Sequence, residues 1–382
     1  MIRNDLGYSR RSAIAGGLAL AIVPRAAMAA ASFDTFVTDQ MQAATIPGLA
    51  VGIARKGVVT FAKGYGLADI ATRRPVGADT MFHIASITKT VTGSAIMQLV
   101  DSGLIALDDP VAPHLDFPIA GEGAERITFR HLLQHTSGIS DDVYYEVDFR
   151  VRGKDSTLGL GEMVRGYLAP GGRYTGAGNV KSLPGARWSY SNMGFALLGY
   201  LFQRVCGQDL RIFTAEKMFR PLGLKRIAWA LANTPEYLRA TPYDVADGAP
   251  VAVEPAGFPD YSVGMIRASV GDLTQIVAAA ANHGVSGRTR LLSAQANAQM
   301  LEMTKPADLP DWLTGQGLAW QEGALGGIPR PNHWGGDPGV LTMAYLDPAT
   351  RTAVVLLSNL SATRESRDAM KAIAAKAFDH PA

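Results

Sequence analysis

A serine and a lysine three positions apart stand out in the segment FHIASITKT, at 82–90. Turning the Ser86 hydroxyl into a nucleophile at neutral pH needs a nearby base, and Lys89 could be that base where burial favours its uncharged amine. Apolar residues recur every four positions after Ser86, which predicts a helix that ends at Gly103 and carries both side chains on one face. The same pattern suits an ordinary helix cap followed by a solvated lysine. This pair therefore needs further elements before it indicates catalysis.

A second group of polar residues precedes another apolar-periodic helix. The segment PGARWSYSNMGFALLGYL places Tyr190, Ser191 and Asn192 at its start. The Tyr190 phenol could relay a proton, and the Asn192 carboxamide could hydrogen-bond a substrate. A Ser–Asn helix cap beside a packed tyrosine is the alternative interpretation.

A third candidate segment, NHWGGDPGV, lies at the edge of a predicted C-terminal hairpin. It contains His333 and Trp334 ahead of two glycines. Successive glycines next to a strand allow another backbone or a ligand to approach closely. A plain Gly–Pro turn would explain the same residues without function.

Taken in order, the three segments resemble the motifs of the serine β-lactamase and penicillin-binding protein superfamily. Its class C-like branch, which includes D-alanyl-D-alanine carboxypeptidases, esterases and D-aminopeptidases, uses S-x-x-K, then Y-x-N, then K/H-x-G. This chain has these patterns at 86–89, 190–192 and 333–335. The segments ITFRHLLQHTSGI, FRPLGL and GLAW are also similar to the family, so the resemblance runs from about residue 33 to the C-terminus.

The resemblance implies a role for each matching residue. Ser86 would attack a carbonyl carbon and form an acyl-enzyme that water hydrolyses, while Lys89 and Tyr190 share the general acid and base work. Asn192 would hydrogen-bond the substrate amide or the lysine ammonium. The N–H of Gly336, beside that of Ser86, would bind the oxyanion. No metal and no cofactor is implied.

Trp334 departs from the family pattern. Relatives that recognise penicillin usually carry Thr there, and its hydroxyl helps to hold a substrate carboxylate, whereas Trp offers one N–H and a large apolar face. This substitution favours an ester or an uncharged amide as substrate. It also allows a shifted register, with Trp334 as the first residue of the third motif and Asp337 as oxyanion donor. The spacing to the following Pro–Gly favours the register that begins at His333.

These features predict an exported serine hydrolase that acts through Ser86 on the ester or amide bond of a small molecule or peptide. A D-alanyl-D-alanine carboxypeptidase and a class C-like β-lactamase are alternatives within the family. A catalytically silent member that binds peptidoglycan or a protein partner is the alternative outside catalysis. The presence of Ser86, Lys89 and Tyr190 together argues against the silent member, which has no physical need of all three.

The expected fold is α+β and β-lactamase/transpeptidase-like. Strand patterns at both ends of the chain, with helices between them, predict one antiparallel sheet built from both termini, flanked by helices and joined to a helical insertion lobe. We expect a catalytic domain over 33–382. Its sheet lobe would comprise about 33–115 and 255–382, and its helical lobe about 116–254.

The first residues, 1–29, have the composition of an export signal. Arg10 and Arg11 precede a short apolar stretch, and small residues at 27–29 allow cleavage there, which is typical of a twin-arginine signal. Removal of 1–29 changes the formal net charge from +2 to −1, because four arginines and one aspartate leave with it. We therefore expect a periplasmic or secreted protein with no stable membrane span after signal removal, and no basic patch for nucleic acid.

Metal binding is disfavoured by the cysteine and histidine pattern. Cys206 is the single cysteine of 382 residues, which excludes an internal disulfide and a cysteine-based metal site, and its place in the last turn of an apolar helix suggests a buried structural thiol. His131 and His135 have the i, i+4 spacing of a zinc helix. However, Leu132 stands where the glutamate of H-E-x-x-H is needed.

Overall fold

A computed structural model describes residues 25–176 and 178–381. The strands of the described residues are β1 Gly48–Arg55, β2 Val58–Asp69, β3 Arg74–Pro75, β4 Phe82–His83, β5 Val151–Arg152, β6 Ile227–Ala228, β7 Tyr243–Ala246, β8 Ala249–Ala252, β9 Ala256–Gly257, β10 Arg267–Ala268, β11 Val285–Ser286, β12 Thr289–Arg290, β13 Gly315–Gln316, β14 Gln321–Leu325, β15 Ile328–Asp337, β16 Val340–Asp347 and β17 Thr352–Ser358. The α-helices are α1 Arg25–Ala43, α2 Thr88–Asp101, α3 Phe129–Leu133, α4 Asp142–Val147, α5 Leu160–Leu168, α6 Asn192–Cys206, α7 Leu210–Thr214, α8 Tyr261–Gly264, α9 Val270–Ala281, α10 Ala294–Met300 and α11 Arg364–Phe378.

The predicted sheet built from both termini is confirmed. Eight strands lie in the order β13-β14-β15-β16-β17-β1-β2-β3, and the junction of the two termini is the antiparallel pair of β17 and β1. Both strands are buried on their two faces, so they read as almost continuous apolar runs rather than as alternating ones.

Helices cover both faces of this sheet. On one face, α1 and α11 pack on Leu49, Val51 and Leu356. On the other, α9 lies so close to β1 that a Cβ at Gly52 would stand 2.0 Å from the Thr274 hydroxyl oxygen. The glycine is thus what allows the helix to approach, and the arrangement is the predicted α+β sandwich of helices and sheet.

The helical part packs on the same core as the sheet. Helices α3, α5 and α8 surround α6, and α2 contacts both α6 and α8. Buried side chains form one continuous cluster from Phe195 and Leu198 on α6 to Ala344 and Val355 in the sheet. Helix α2 therefore joins the two predicted lobes, whose boundaries stay a prediction.

Two local expectations need correction. The helix expected to start at Ser86 begins at Thr88, because a 3₁₀ turn, Ala85–Ile87, comes first. Cys206 does end α6 as expected, but its side chain is half-buried rather than buried. The predicted C-terminal hairpin is present, with its turn at 348–351, and β1 and β2 form a second hairpin with its turn at 56–57.

The N-terminal prediction is largely outside the described residues, which begin at residue 25 and so include only the end of the predicted signal at 1–29. Among the described helices, none has the length and apolar character that a membrane span requires.

Candidate active site

Ser86 lies in the tight turn ahead of α2, and its side chain does not cap that helix. The preceding Ala85 has φ +45°, a left-handed conformation that a residue with a Cβ adopts only when its surroundings enforce it. Strands β15 and β16 supply those surroundings. The Thr342 hydroxyl donates to the Ile84 carbonyl at 2.9 Å, and Gly335 packs against the same carbonyl so closely that a Cβ there would stand 2.3 Å from its oxygen.

Lys89 lies one turn after Ser86 and is completely buried. Its Nζ donates to Ser86 Oγ at 3.0 Å and to the Val263 carbonyl at 3.2 Å. Burial lowers the pKa of Lys89 to about 7, although the carboxylates of Asp141 and Asp260 act in the opposite direction. Near neutral pH a large fraction of this amine is therefore uncharged and able to accept a proton.

Tyr190 stands immediately before α6, with its ring centroid 5.0 Å from Lys89 Nζ. The ring stacks on His135 at 4.3 Å between centroids. Burial raises the pKa of Tyr190 well above its ordinary value, although a hydrogen bond with Ser86 opposes the change. The tyrosine is therefore a neutral hydroxyl at physiological pH, suited to donating or relaying a proton rather than to acting as a phenolate base.

Asp141 fixes the start of α6, next to Tyr190, and the sequence did not reveal this role. Its carboxylate accepts from the backbone N–H groups of Asn192 at 2.5 Å and Met193 at 3.0 Å, and from the Ser191 hydroxyl at 3.3 Å. Burial raises the pKa of Asp141 to about 6, against these hydrogen bonds and Lys89. The acidic pair at 141–142 is a usual helix-start signal, but it could not show that Asp141 serves the start of α6, fifty residues later.

The third motif lines the other side of Ser86. His333 is buried, its Nδ1 lies 2.9 Å from the Trp334 carbonyl oxygen, and burial lowers its pKa to about 3. A neutral His333 cannot stabilise a Tyr190 phenolate. The Trp334 ring stacks on that of Trp312 at 6.1 Å, with Lys371 Nζ 4.8 Å from its centroid.

The backbone pattern of β15 bears on which residue binds the oxyanion. From His333 to Asp337 this strand pairs with β16 on one edge, while its other edge lies beside the Ser86 turn. The closing pair of a two-residue turn, here Asp337 with Val340, is hydrogen-bonded, and such pairs alternate with non-hydrogen-bonded ones. The N–H of Gly336 therefore points towards the Ser86 edge and that of Asp337 towards β16. This geometry favours the register that begins at His333.

A cavity of about 380 Å³ brings the predicted residues together. Its walls include Ser86, Tyr190, Asn192, His333, Trp334 and Gly336. Lys89 is absent from the walls because it lies behind Ser86, away from any substrate. Sequence reasoning missed the aromatic walls, which come from α4 and from loops: Tyr144, Tyr145, Phe149, Trp188, Phe258 and Trp312. One of them, Tyr145, accepts at its hydroxyl from Asn192 Nδ2 at 3.0 Å.

Comparison with known proteins decides the family, since the profile of the beta-lactamase family matches residues 33–378. The chain belongs to the beta-lactamase family. An esterase is among the proteins of similar sequence, and a D-alanine carboxypeptidase and a D-amino acid amidase share the fold.

Three individual proteins illustrate the range of similarity. Protein flp of Staphylococcus aureus strain MW2 is 30% identical over 225 residues, which is 58% of this chain and 43% of that protein, so the chain spans under half of its length. Esterase EstB of Burkholderia gladioli is 27% identical over 368 residues, covering 87% of this chain and 91% of the esterase. An octameric penicillin-binding protein homologue from Pyrococcus abyssi has a TM-score of 0.73 at 25% identity, over 91% of this chain and 76% of its own.

The two histidines with zinc-like spacing have structural partners in this beta-lactamase fold. His131 caps α3, with its Nδ1 accepting from the Thr128 N–H at 3.2 Å. His135 Nδ1 accepts from the Ser191 N–H at 3.1 Å. Within 25–176 and 178–381, no group of three or more His, Cys, Asp or Glu side chains is placed to hold a metal ion.

Proposed function

We propose that this protein is an exported serine hydrolase that forms an acyl-enzyme at Ser86 and hydrolyses an ester or an uncharged amide. One observation carries the proposal: Lys89 Nζ lies 3.0 Å from Ser86 Oγ in a site where burial lowers the lysine pKa to about 7. A solvated lysine would remain charged and could not activate the serine.

The reaction follows from this arrangement. Lys89 takes the Ser86 proton as Oγ bonds to the substrate carbonyl carbon, and the N–H groups of Ser86 and Gly336 hold the negative oxygen. Collapse breaks the bond to the alcohol or amine, which receives a proton through the neutral Tyr190 hydroxyl, replenished from Lys89. Water then attacks the acyl-serine ester with Lys89 as base, and the acid leaves.

Trp334 supports the preference for an uncharged scissile end. Trp334 lines the cavity with its ring against Trp312 and Lys371, and it offers no hydroxyl where relatives that recognise penicillin carry one. An ester or uncharged amide needs no carboxylate partner at this position.

Export is proposed on the sequence of 1–29, with a periplasmic or secreted location. The family match begins at residue 33, after the predicted cleavage at 27–29, and Phe33 is a buried core residue. Amino-terminal sequencing of protein from the periplasm and medium of an expressing bacterium should find a start near residue 30, which retention of full-length chain in the cytoplasm would contradict.

The test of catalysis compares the mature protein with Ser86→Ala, using Ser94→Ala on α2 as the matched serine control. We expect hydrolysis of 4-nitrophenyl butyrate by the unmodified protein and by Ser94→Ala, and its loss in Ser86→Ala. Full activity in Ser86→Ala would overturn the proposal. Absence of hydrolysis of both esters and amides would indicate the silent member.

Benzylpenicillin separates the alternatives within the family. After incubation with this drug, the intact mass of the mature protein should show no adduct, and the drug should remain unhydrolysed. A Ser86-dependent adduct or hydrolysed drug would instead indicate a D-alanyl-D-alanine carboxypeptidase or a class C-like β-lactamase.

A further inference from the structure

A second, smaller cavity adjoins the active-site cavity. Its volume is about 30 Å³, and it shares the side chains of His83, Arg150 and Asp337 with the larger one. It lies close to the reacting atoms, because Asp337 directly follows Gly336 and His83 precedes Ser86 by three residues. A space of this size admits one small polar group.

Arginines dominate the charges around this smaller cavity, named here the arginine pocket. Its walls include Arg150, Arg152, Arg239 and Arg267, against the two acids Glu254 and Asp337. Arg150 is already neutralised, since it contacts Asp337 Oδ1 at 3.1 Å and Asp148 Oδ1 at 2.5 Å. Asp337, the acid that lines both cavities, is thereby paired with Arg150.

Arg267 is the most deeply buried of the four. It is 3% exposed, yet its guanidinium donates only to two backbone carbonyls, those of Met265 at 3.0 Å and Ala256 at 2.6 Å. No described carboxylate forms an ion pair with it. Burial lowers the pKa of Arg267 to about 10, as does the positive charge of Arg239, while the carboxylates of Asp155 and Asp337 act in the opposite direction.

A buried guanidinium without a carboxylate is costly, and holding two carbonyls does not require its charge. A glutamine carboxamide could donate to the same acceptors. His83 adds no charge to the pocket, because burial lowers its pKa to about 3 and leaves the ring neutral, with Nε2 facing the Gly264 carbonyl at 2.5 Å. Because Arg267 has no ion-pair partner among the described residues, its guanidinium can pair with an anion that enters the pocket.

We propose that the arginine pocket binds a carboxylate at the far end of the substrate acyl chain. The inference rests on the proposed function and refines its substrate, whose scissile end remains uncharged. In the proposed mechanism Tyr190 protonates the leaving group, which therefore lies on the Tyr190 side of the cavity. The acyl chain then lies on the other side, beyond Gly336, where Asp337 and the arginines are. Arg267 and Arg239 are then specificity-determining residues, because a guanidinium pairs with a carboxylate through charge-assisted hydrogen bonds.

Binding is measured by calorimetry on Ser86→Ala, which holds substrate without turnover in the proposed mechanism. The two probes are mono-4-nitrophenyl glutarate, which carries a terminal carboxylate, and 4-nitrophenyl pentanoate, a neutral ester of the same chain length. We expect the glutarate ester to bind about tenfold tighter or better, and Arg267→Gln or Arg239→Gln to remove about tenfold of that preference. Arg288→Gln, an exposed arginine outside both cavities, is the matched control and should keep the preference.

Equal binding of the two esters, or a preference that survives the Arg239 and Arg267 changes, would overturn the arginine pocket. Arg239→Gln keeps the test decisive if Arg267→Gln fails to fold. Hydrolysis by the unmodified protein is recorded separately. Hydrolysis without an arginine-dependent binding preference would contradict the proposal for the arginine pocket and leave the proposed function standing. A binding preference without any hydrolysis would contradict the proposed function and leave the arginine pocket standing.

Discussion

At the scale of single residues, burial assigns the acid and base roles that the sequence left open. The sequence predicted that Lys89 and Tyr190 share the proton transfers, because both residue types can do so. Their common burial moves the two pKa values apart, lowering that of Lys89 to about 7 and raising that of Tyr190. Residue type is readable from sequence, but the desolvation that decides its charge depends on the packed structure.

The pH dependence of ester hydrolysis should report Lys89. Because the base must be uncharged, kcat/KM should rise with pH through about 7 and then level, as the lysine loses its proton. A pH–rate profile with 4-nitrophenyl butyrate measures this limb. Lys89→Arg keeps the charge permanently and should lose about 10²–10⁴-fold in kcat/KM. A rate that is flat from pH 5 to about 9 would contradict the assignment of Lys89 as base.

The charge of Asp141 should set the pH at which kcat/KM rises. Its negative charge raises the pKa of Lys89 against the effect of burial, as does that of Asp260. Asp141→Asn removes one of these charges, so the acid limb should move to lower pH. The readout is the midpoint of the pH–rate profile, which a purely structural role at the start of α6 would leave in place.

Tyr190→Phe should discriminate between leaving groups. The variant removes the neutral hydroxyl that protonates the departing atom, and an amine needs that proton more than 4-nitrophenolate does. We expect a larger loss of kcat with a 4-nitroanilide than with the matching 4-nitrophenyl ester. Equal losses with the two substrates would place Tyr190 in positioning rather than in proton transfer.

At the scale of elements, the site depends on how closely β15 approaches the Ser86 turn. The sequence indicated a close approach at the two glycines but could not assign it to one of them. In the structure it falls on Gly335, where a Cβ would stand 2.3 Å from both the Ile84 carbonyl oxygen and the Thr342 hydroxyl oxygen. Gly336 has open space around its Cβ position. The contact between strand and turn is what keeps Ala85 in its left-handed conformation.

Gly335→Ala and Gly336→Ala form a matched pair that tests this contact. A methyl group at 335 must displace backbone, so we expect a loss of about 1–3 kcal/mol in the free energy of unfolding and a large fall in kcat. The same change at 336 should leave the free energy of unfolding unchanged within about 0.5 kcal/mol. Urea unfolding of both variants measures the difference, and equal stabilities would show that β15 can move away without cost.

Helix starts show what the sequence could not supply at this scale. The periodic runs predicted α2 and α6 as helices, since one strongly apolar face is a local signal. Placing Ser86 two residues ahead of α2 required the tertiary contacts with β15, and placing Asp141 at α6 required a contact across fifty residues. Such pairings have no local pattern, so the residues of the site were predictable and their supports were not.

At the scale of the whole molecule, most of the site lies on the face of the sheet away from the terminal helices, and Trp334 is the site residue that contacts α11, through Lys371. The predicted pairing of the two chain ends puts β1 and β17 at the centre, with Ser86 on the face that α9 and the helical part cover. Helices α1 and α11 close the opposite face around a second cluster of buried side chains. Stability and catalysis therefore draw on different faces of one sheet.

A cavity made under α11 should lower stability without changing the chemistry. Ile373 is fully buried in the cluster on that opposite face, so Ile373→Ala should cost about 2–5 kcal/mol of unfolding free energy. Because the strands between them are packed on both sides, the Ser86–Lys89 geometry should persist, and kcat/KM well below the melting temperature should stay within about twofold. The exposed Lys376→Ala on the same helix is the control for stability. A fall in kcat/KM that follows the loss of stability would instead show that the sheet transmits strain from one face to the other.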